Sequence, residues 1–249
     1  MTVNAIDRSQ QRAARVAGLA FLVSFFAVVA ASFGVFFQVI LPGDAVESAR
    51  RILANERLFR LATAGEIVNC VALVVLITAT YVALRPVNRN LALLAAVGRL
   101  VEVFTWVLVV VNNFMALHVL GDPVYARAFG LDRVPALAQL YLNGFDQYYV
   151  GLLFWSLAIT IGSYLWFTSK YIPRSLAVFG LMSSVWCASC TVVYYIFPGF
   201  ADVVNLWWFD TPMVIFELAL SIWLLVKGVS YGGAYSLTNR STAGQLVNS

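Results

Sequence analysis

The sequence predicts an all-α fold, a polytopic transmembrane helix bundle of about six spans with a short amphipathic helix outside the membrane. Hydrophobic residues make up 61% of the 249 residues and charged residues only 11%, and the mean hydropathy is +0.84. Soluble domains carry about 25% charged residues. This chain therefore has too few charges to cover a water-soluble surface, and its surroundings are predicted to be the lipid bilayer.

Charge and motif content exclude several classes of protein. The 16 Lys and Arg residues exceed the 12 Asp and Glu residues, but the positive residues lie between apolar stretches, where they orient membrane proteins. We therefore expect no nucleic-acid partner. The chain has no phosphate-binding glycine loop, GxSxG or HExxH motif. Its single histidine, His118, lacks further ligands at metal-binding spacing, so we expect neither a cofactor nor a metal site.

Six apolar segments are long enough to cross a bilayer, which needs about 20 helical residues for a core about 30 Å thick. We expect residues 1–231 to form one membrane domain and the tail over 232–249 to be disordered. The fourth segment would be about 50 Å long as one helix, so we expect it to be tilted, kinked or partly outside the bilayer. The predicted spans are residues 16–41, 61–84, 91–120, 135–168, 176–197 and 213–229.

The positive charges predict the orientation of the spans. With the N-terminus inside, nine Lys and Arg residues fall on the inner side and six on the outer side. This bias predicts a protein of the cell membrane with both termini in the cytoplasm.

The first outer loop is predicted to contain the amphipathic helix. Asp44 stands at the N-cap position with Glu47 at capping-box spacing, and the helix is expected to end near Asn55. A helix of this kind lies on the membrane surface. Its apolar face is predicted to hold Ala45, Ala49, Ile52 and Leu53.

Five ionisable residues fall inside predicted spans, where each costs about 2.5 kcal/mol or more at the centre and so faces the bundle interior. They are Glu66, Arg99, Glu102, Asp146 and Glu217. Glu66 and Glu217 enter at similar depth on spans that run in the same direction. We expect them to share one cavity with Arg99 and Glu102 as its floor. Further binding candidates are Asn69, Asn113, Asn143, Tyr149, Tyr194 and Phe216.

Each charged candidate also has a structural interpretation. Arg99 and Glu102 lie three residues apart on one helical face and can neutralise each other. Glu66, with Asn69 on its own face, is typical of an interhelical hydrogen-bonding group. Glu217 has apolar neighbours, and a neutral buried carboxyl is a proton donor. Glu66, Glu217 and Asp146 are therefore the predicted catalytic residues.

Several segments spread along the chain match one family pattern. They are the run LRPVNRNLALLAAVGRL from Leu84, GLLFWSL from Gly151, YIPRSLAVFG from Tyr171 and IWLLVKGV from Ile222. On these segments the sequence resembles the multi-pass membrane proteins of domain-of-unknown-function family 4386. The resemblance implies a six- or seven-helix membrane protein without an assigned activity. Where members often carry a histidine, the fourth span has Asn143-Gly144-Phe145-Asp146.

Three functions fit these observations. The first is a membrane enzyme that acts on a hydrophobic small molecule, such as acid-initiated cyclisation of an isoprenoid; its layout is similar to that of the small integral-membrane terpene cyclases. The second is a proton-coupled transporter, for which six short spans would need a homo-oligomer to form a pathway. The third is a non-catalytic scaffold subunit whose buried polar groups hold helices together.

Overall fold

Long helices dominate the chain. The computed structural model describes residues 7–143, 145–197 and 199–230, and the side chains of 145–147, 201, 206 and 207 lie outside this description. Within the described residues, six helices are long and apolar enough to cross a membrane. Helices suit a bilayer because they satisfy their backbone hydrogen bonds internally. The protein is a multi-pass membrane protein with candidate spans Arg8–Val39, Glu56–Leu84, Arg89–Gly121, Tyr148–Ser169, Arg174–Ile196 and Trp208–Val226.

The α-helices are numbered in chain order. A π-helical turn, Ser32–Phe36, separates the first two within one span. The α-helices are α1 (Arg8–Ala31), α2 (Phe37–Val39), α3 (Ala45–Ala54), α4 (Glu56–Leu84), α5 (Arg89–Gly121), α6 (Pro123–Phe129), α7 (Val134–Leu142), α8 (Phe145–Ser169), α9 (Arg174–Ile196), α10 (Phe200–Val203) and α11 (Leu206–Val226).

The fourth predicted segment, residues 135–168, is divided in the structure. α7 ends at Leu142, and Asn143 leaves the helical conformation with φ −77° and ψ 54°. The following helix, α8, begins at Phe145. Asn-Gly is a dipeptide that favours turns over continued helix, and this chain has it at 143–144. The segment was expected to be tilted, kinked or partly outside the bilayer, and in the structure it consists of two helices, α7 and α8.

Helix α3 begins at the predicted N-cap. The Asp44 carboxylate accepts a hydrogen bond from the backbone N–H of Glu47 at 2.9 Å. The reciprocal half of a capping box is absent at this cap, because the Asp44 N–H donates to the Leu41 carbonyl. The Glu47 side chain instead binds Arg50 at 2.6 Å and Arg51 at 2.8 Å. The cap is confirmed, and the glutamate stabilises its own helix through two ion pairs.

The buried face of α3 differs by one position from the predicted face. Ser48, Ala49 and Ile52 are buried, and α3 packs against α7. Leu53, predicted on this face, is 47% exposed while Ile52 is fully buried. Because helical residues are rotated by about 100° each, a contact centred between Ser48, Ala49 and Ile52 leaves Leu53 at its edge.

Two compact units make up the chain. Among the described residues, the first unit contains 7–19, 76–98 and 156–230, and the second contains 20–75 and 99–155. In the first unit, α9 packs along α11, and the largest core lies around Ala14, Ala83, Trp166, Ala177 and Leu224. In the second unit, a core gathers around Val35, Ile52, Phe59 and Leu117.

A glutamine of α1 closes the C-terminal end of α11 in the first unit. The Gln11 side chain donates from Nε2 to the Lys227 carbonyl at 3.2 Å, and its Oε1 accepts from the Val229 N–H at 3.0 Å. Gly228, between them, has a φ of +68°, the left-handed conformation common just after a helix. The first bond satisfies a carbonyl at the helix end, where carbonyls lack intrahelical partners, and the second pairs the N–H of the residue that follows Gly228.

We expect Gly228→Ala to destabilise the protein by about 1–2 kcal/mol, because the left-handed conformation disfavours a Cβ. A Cβ would also overlap the Gln11 side chain. Thermal unfolding of the purified protein in detergent measures the effect. The matched control is Gly162→Ala, whose Cβ would meet nothing within 4 Å and which should be neutral or stabilising. Equal unfolding temperatures for the two variants would contradict this prediction.

The ion pairs of α3 predict a dependence on pH. Hydrogen bonds from Arg50 and then Arg51 lower the pKa of Glu47 from 4.5 to about 2. Because the folded pKa is the lower one, the stabilisation is complete above pH 4.5 and is lost as the pH falls towards 2. Hydrogen-exchange protection of the α3 amides should fall over this range. Glu47→Gln should abolish that dependence, and an unchanged profile in this variant would show that another group causes it.

Candidate functional site

Glu66 is a buried carboxyl on α4 in the second unit. The residue is 1% exposed, and its side chain has a hydrogen bond with that of Asn69, one turn further along α4. The Asn69 Oδ1 accepts a hydrogen bond of 2.6 Å from the Ser24 hydroxyl of α1. Ser24, Asn69 and Glu66 therefore form one buried polar chain between the two helices.

Arg99 and Glu102 form the ion pair that their spacing predicts. Arg99 Nε lies 2.9 Å from Glu102 Oε2, and the two side chains are only 7% and 8% exposed. The Arg99 guanidinium also lies 5.4 Å from the centroid of the Trp155 ring, a cation–π contact. The positive charge is thus balanced by one carboxylate and one aromatic face, all within the second unit.

Cys70 lies near both the Glu66–Asn69 pair and the Arg99–Glu102 pair. Its thiol lies on α4, one turn beyond Glu66, close enough to the carboxyls of both Glu66 and Glu102 to interact with them electrostatically. We therefore treat Ser24, Glu66, Asn69, Arg99 and Glu102 as one group, the polar cluster of the second unit.

Buried aromatic rings lie on α8, which packs tightly against α5 in the same unit. Tyr149 is 4% and Trp155 9% exposed. A Cβ at Gly151 would overlap the Thr105 hydroxyl, which itself donates to the Glu102 carbonyl at 2.7 Å. Glycine at 151 lets the aromatic helix approach the backbone that carries the ion pair.

Glu217 belongs to the first unit. It lies on α11 and is 5% exposed, next to Phe216 at 1%. A Cβ at Gly180 of α9 would overlap both the Phe216 ring and the Ser163 hydroxyl. Ser163 Oγ is buried without a hydrogen-bond partner among the described residues. Phe216, predicted to line a cavity, is thus closely packed against α9.

Comparison with known proteins identifies the family. The family model described as "Domain of unknown function (DUF4386)" matches residues 16–228. The chain belongs to the DUF4386 family. No curated protein and no solved structure gives a match. Membership of DUF4386 confirms the resemblance seen in the sequence.

The remaining predicted site residues of this DUF4386 protein have different surroundings. Asn113 is 5% exposed, and Tyr194 is half-buried. Asn143 is exposed after α7 and accepts a hydrogen bond from Gln139 at 3.1 Å, so it is not buried as a residue inside a span would be. The side chain of Asp146 lies outside the described residues.

The cavity predicted between Glu66 and Glu217 stays a prediction. Glu66 lies in the second unit and Glu217 in the first. In the described part of the chain, no three His, Cys, Asp or Glu side chains are grouped so that they could hold a metal ion.

Three residues of interest were missed by the sequence analysis. Ser24 and Trp155 contact the predicted site from other helices, which no local pattern indicates. Asp210 was placed before the sixth span, since the span was predicted to begin at Met213. α11 instead begins at Leu206 and contains Pro212, so Asp210, 7% exposed, is a further ionisable group within an apolar helix.

The buried ion pair predicts an asymmetric response to mutation. Glu102→Gln leaves the Arg99 charge without its carboxylate and should lower the free energy of unfolding by about 3 kcal/mol. The double variant Arg99→Leu with Glu102→Leu should lower it by less, because it buries no lone charge. Reversible unfolding in mixed micelles measures both variants.

The matched control for this prediction is Glu56→Gln, which breaks the exposed pair with Arg60 and should cost less than about 1 kcal/mol. A double variant that is less stable than Glu102→Gln would contradict the prediction.

Proposed function

We propose that this protein is an enzyme embedded in the membrane that acts on a lipid-soluble substrate, with Glu66 as its acid. The observation that carries the proposal is a carboxyl that is only 1% exposed inside a candidate membrane span and whose hydrogen-bond partner, Asn69, lies on the same helix. An ionisable residue at the centre of a span costs about 2.5 kcal/mol or more. A residue kept there at this cost is a candidate functional group.

The reaction we propose is acid-initiated cyclisation of an isoprenoid. Glu66, as the carboxylic acid, donates its proton to the oxygen of an epoxide, and the C–O bond breaks to leave a positive charge on carbon. An alkene of the same chain attacks this carbon, so that a C–C bond forms and the charge moves to the next carbon. Loss of a proton to a base ends the reaction. The product is an isomer of the substrate.

The neighbouring residues have distinct roles in this proposal. Asn69, held by the Ser24 hydroxyl, orients the acid through its amide. Buried aromatic faces stabilise carbocations, and Tyr149 supplies such a ring in the same unit. Glu102 is already paired with Arg99, which makes it a poorer proton donor than Glu66. Glu217 of the first unit and Asp146 are the further acid candidates.

Experiments can distinguish the enzyme from the proton-coupled transporter and from the scaffold. A buried carboxyl also suits proton-coupled transport, and the bond between Ser24 and Asn69 also suits a scaffold that holds helices together. The enzyme is preferred because the hydrogen bond of the Glu66 carboxyl is to Asn69 of its own helix, so among the described residues this carboxyl does not itself join two helices.

The test uses membranes that contain the full chain, incubated with an epoxidised prenyl alcohol and analysed by gas chromatography and mass spectrometry. We expect a cyclic product of unchanged mass, with its rate of formation reduced about 100-fold or more by Glu66→Gln, as for loss of a general acid. Asp202→Asn is the matched control, because Asp202 is an exposed carboxyl on α10. It should react as the wild type does.

If wild-type membranes return only unreacted substrate, the proposal of an enzyme is contradicted. Substrate-dependent proton uptake into proteoliposomes, lost on Glu217→Gln, would instead favour the transporter. Wild-type behaviour of both Glu66→Gln and Glu217→Gln in every assay would favour the scaffold.

A further inference from the structure

A groove with a volume of about 410 Å³ opens at one end of the second unit. It lies where α3 ends and α4 begins, facing the place where α5 ends and α6 begins. Its polar lining consists of Glu56, Arg60, His118 and Asp122, with Leu53 and Leu117 as apolar neighbours. None of these residues has a role in the reaction proposed at Glu66, so the groove is a separate candidate site.

The groove presents both signs of charge. Arg60 Nε binds Glu56 Oε1 at 2.7 Å, and both side chains are about half exposed. This pair involves one guanidinium nitrogen and one carboxylate oxygen, so the terminal nitrogens of Arg60 can face an anion. Asp122 accepts the Val124 N–H at 2.9 Å through Oδ1, which leaves Oδ2 to face a cation. A ligand that carries one negative and one positive group matches this lining.

The groove is formed at the ends of two candidate spans. It is lined by the first turn of α4, which begins the span Glu56–Leu84, and by the last turn of α5, which ends the span Arg89–Gly121. The ends of apolar spans lie near the boundary between hydrocarbon and headgroups. Leu53 in the groove is 47% exposed, and Leu61, one turn into α4, is 68% exposed. These side chains offer apolar surface to acyl chains below a bound headgroup.

We propose that this groove binds the headgroup of a zwitterionic phospholipid of the phosphoethanolamine type. Arg60, with His118 beside it, contacts the phosphate, for which a guanidinium fork is well suited. Glu56 and Asp122 accept hydrogen bonds from the primary ammonium. A purely anionic headgroup would meet two carboxylates, and a choline headgroup has no N–H to donate to them, so both fit the lining less well.

The test measures binding of radiolabelled phosphatidylethanolamine to the purified full chain in detergent. Arg60→Gln and Glu56→Gln should each weaken binding about tenfold, as expected for loss of a charge-assisted hydrogen bond. Arg57→Gln is the matched control, since Arg57 is an exposed neighbour on α4 that does not line the groove, and it should bind as the wild type does. Phosphatidylcholine and phosphatidylglycerol should each bind the wild type about tenfold more weakly.

A further variant keeps the test informative if a charge removal disturbs folding. Asp122→Asn retains a good N-cap residue for α6, so weaker binding by this variant would reflect the lost carboxylate. Equal binding by wild type, Arg60→Gln and Glu56→Gln would overturn the proposal. Free phosphoethanolamine that binds as tightly as the lipid would overturn the membrane as the source of the ligand.

Discussion

The lack of water inside the bilayer is the constraint on which the rest of this structure depends. Backbone N–H and C=O groups must be paired within each segment, which leaves helices as the spanning elements of this chain. Side chains follow the same rule at higher cost. Arg99 is charged at 7% exposure because Glu102 lies 2.9 Å away and Trp155 offers its ring face. At a helix end, Gln11 supplies the hydrogen bonds that α11 cannot make for itself.

Glu66 is the buried polar residue that a purely structural role explains least well. A scaffold would be expected to use its buried polar groups to join helices. Ser24 and Asn69 fit such a role, because their hydrogen bond joins two helices. The Glu66 carboxyl fits it less well, because its hydrogen bond is to Asn69 of its own helix. An ionisable group at that position adds a cost of burial and joins no second helix among the described residues.

The sequence predicts those features of the fold that depend on local spacing. The apolar segments show six spans because hydrophobic length determines whether a helix can cross a bilayer. The Asp44 cap and the pair of Arg99 with Glu102 were also predictable, since three residues of helix bring each pair together. The contacts of Ser24 and Trp155 were not, because they depend on which helices pack side by side. Asp210 was missed because α11 continues through Pro212, although proline is more typical of a first turn.

Glu56 and Glu66 show why depth along a span, more than residue type, separates the two proposed sites. Both are glutamates on α4. Glu56 stands in the first turn, about half exposed and paired with Arg60, so water screens its charge and it can exchange partners at little cost. A charged headgroup is a suitable ligand there. Glu66, deeper in the same helix and 1% exposed, meets a medium that penalises charge. A carboxyl in that position is better suited to carry a proton than to bind an ion, which is why the acid of the proposed reaction is placed at Glu66.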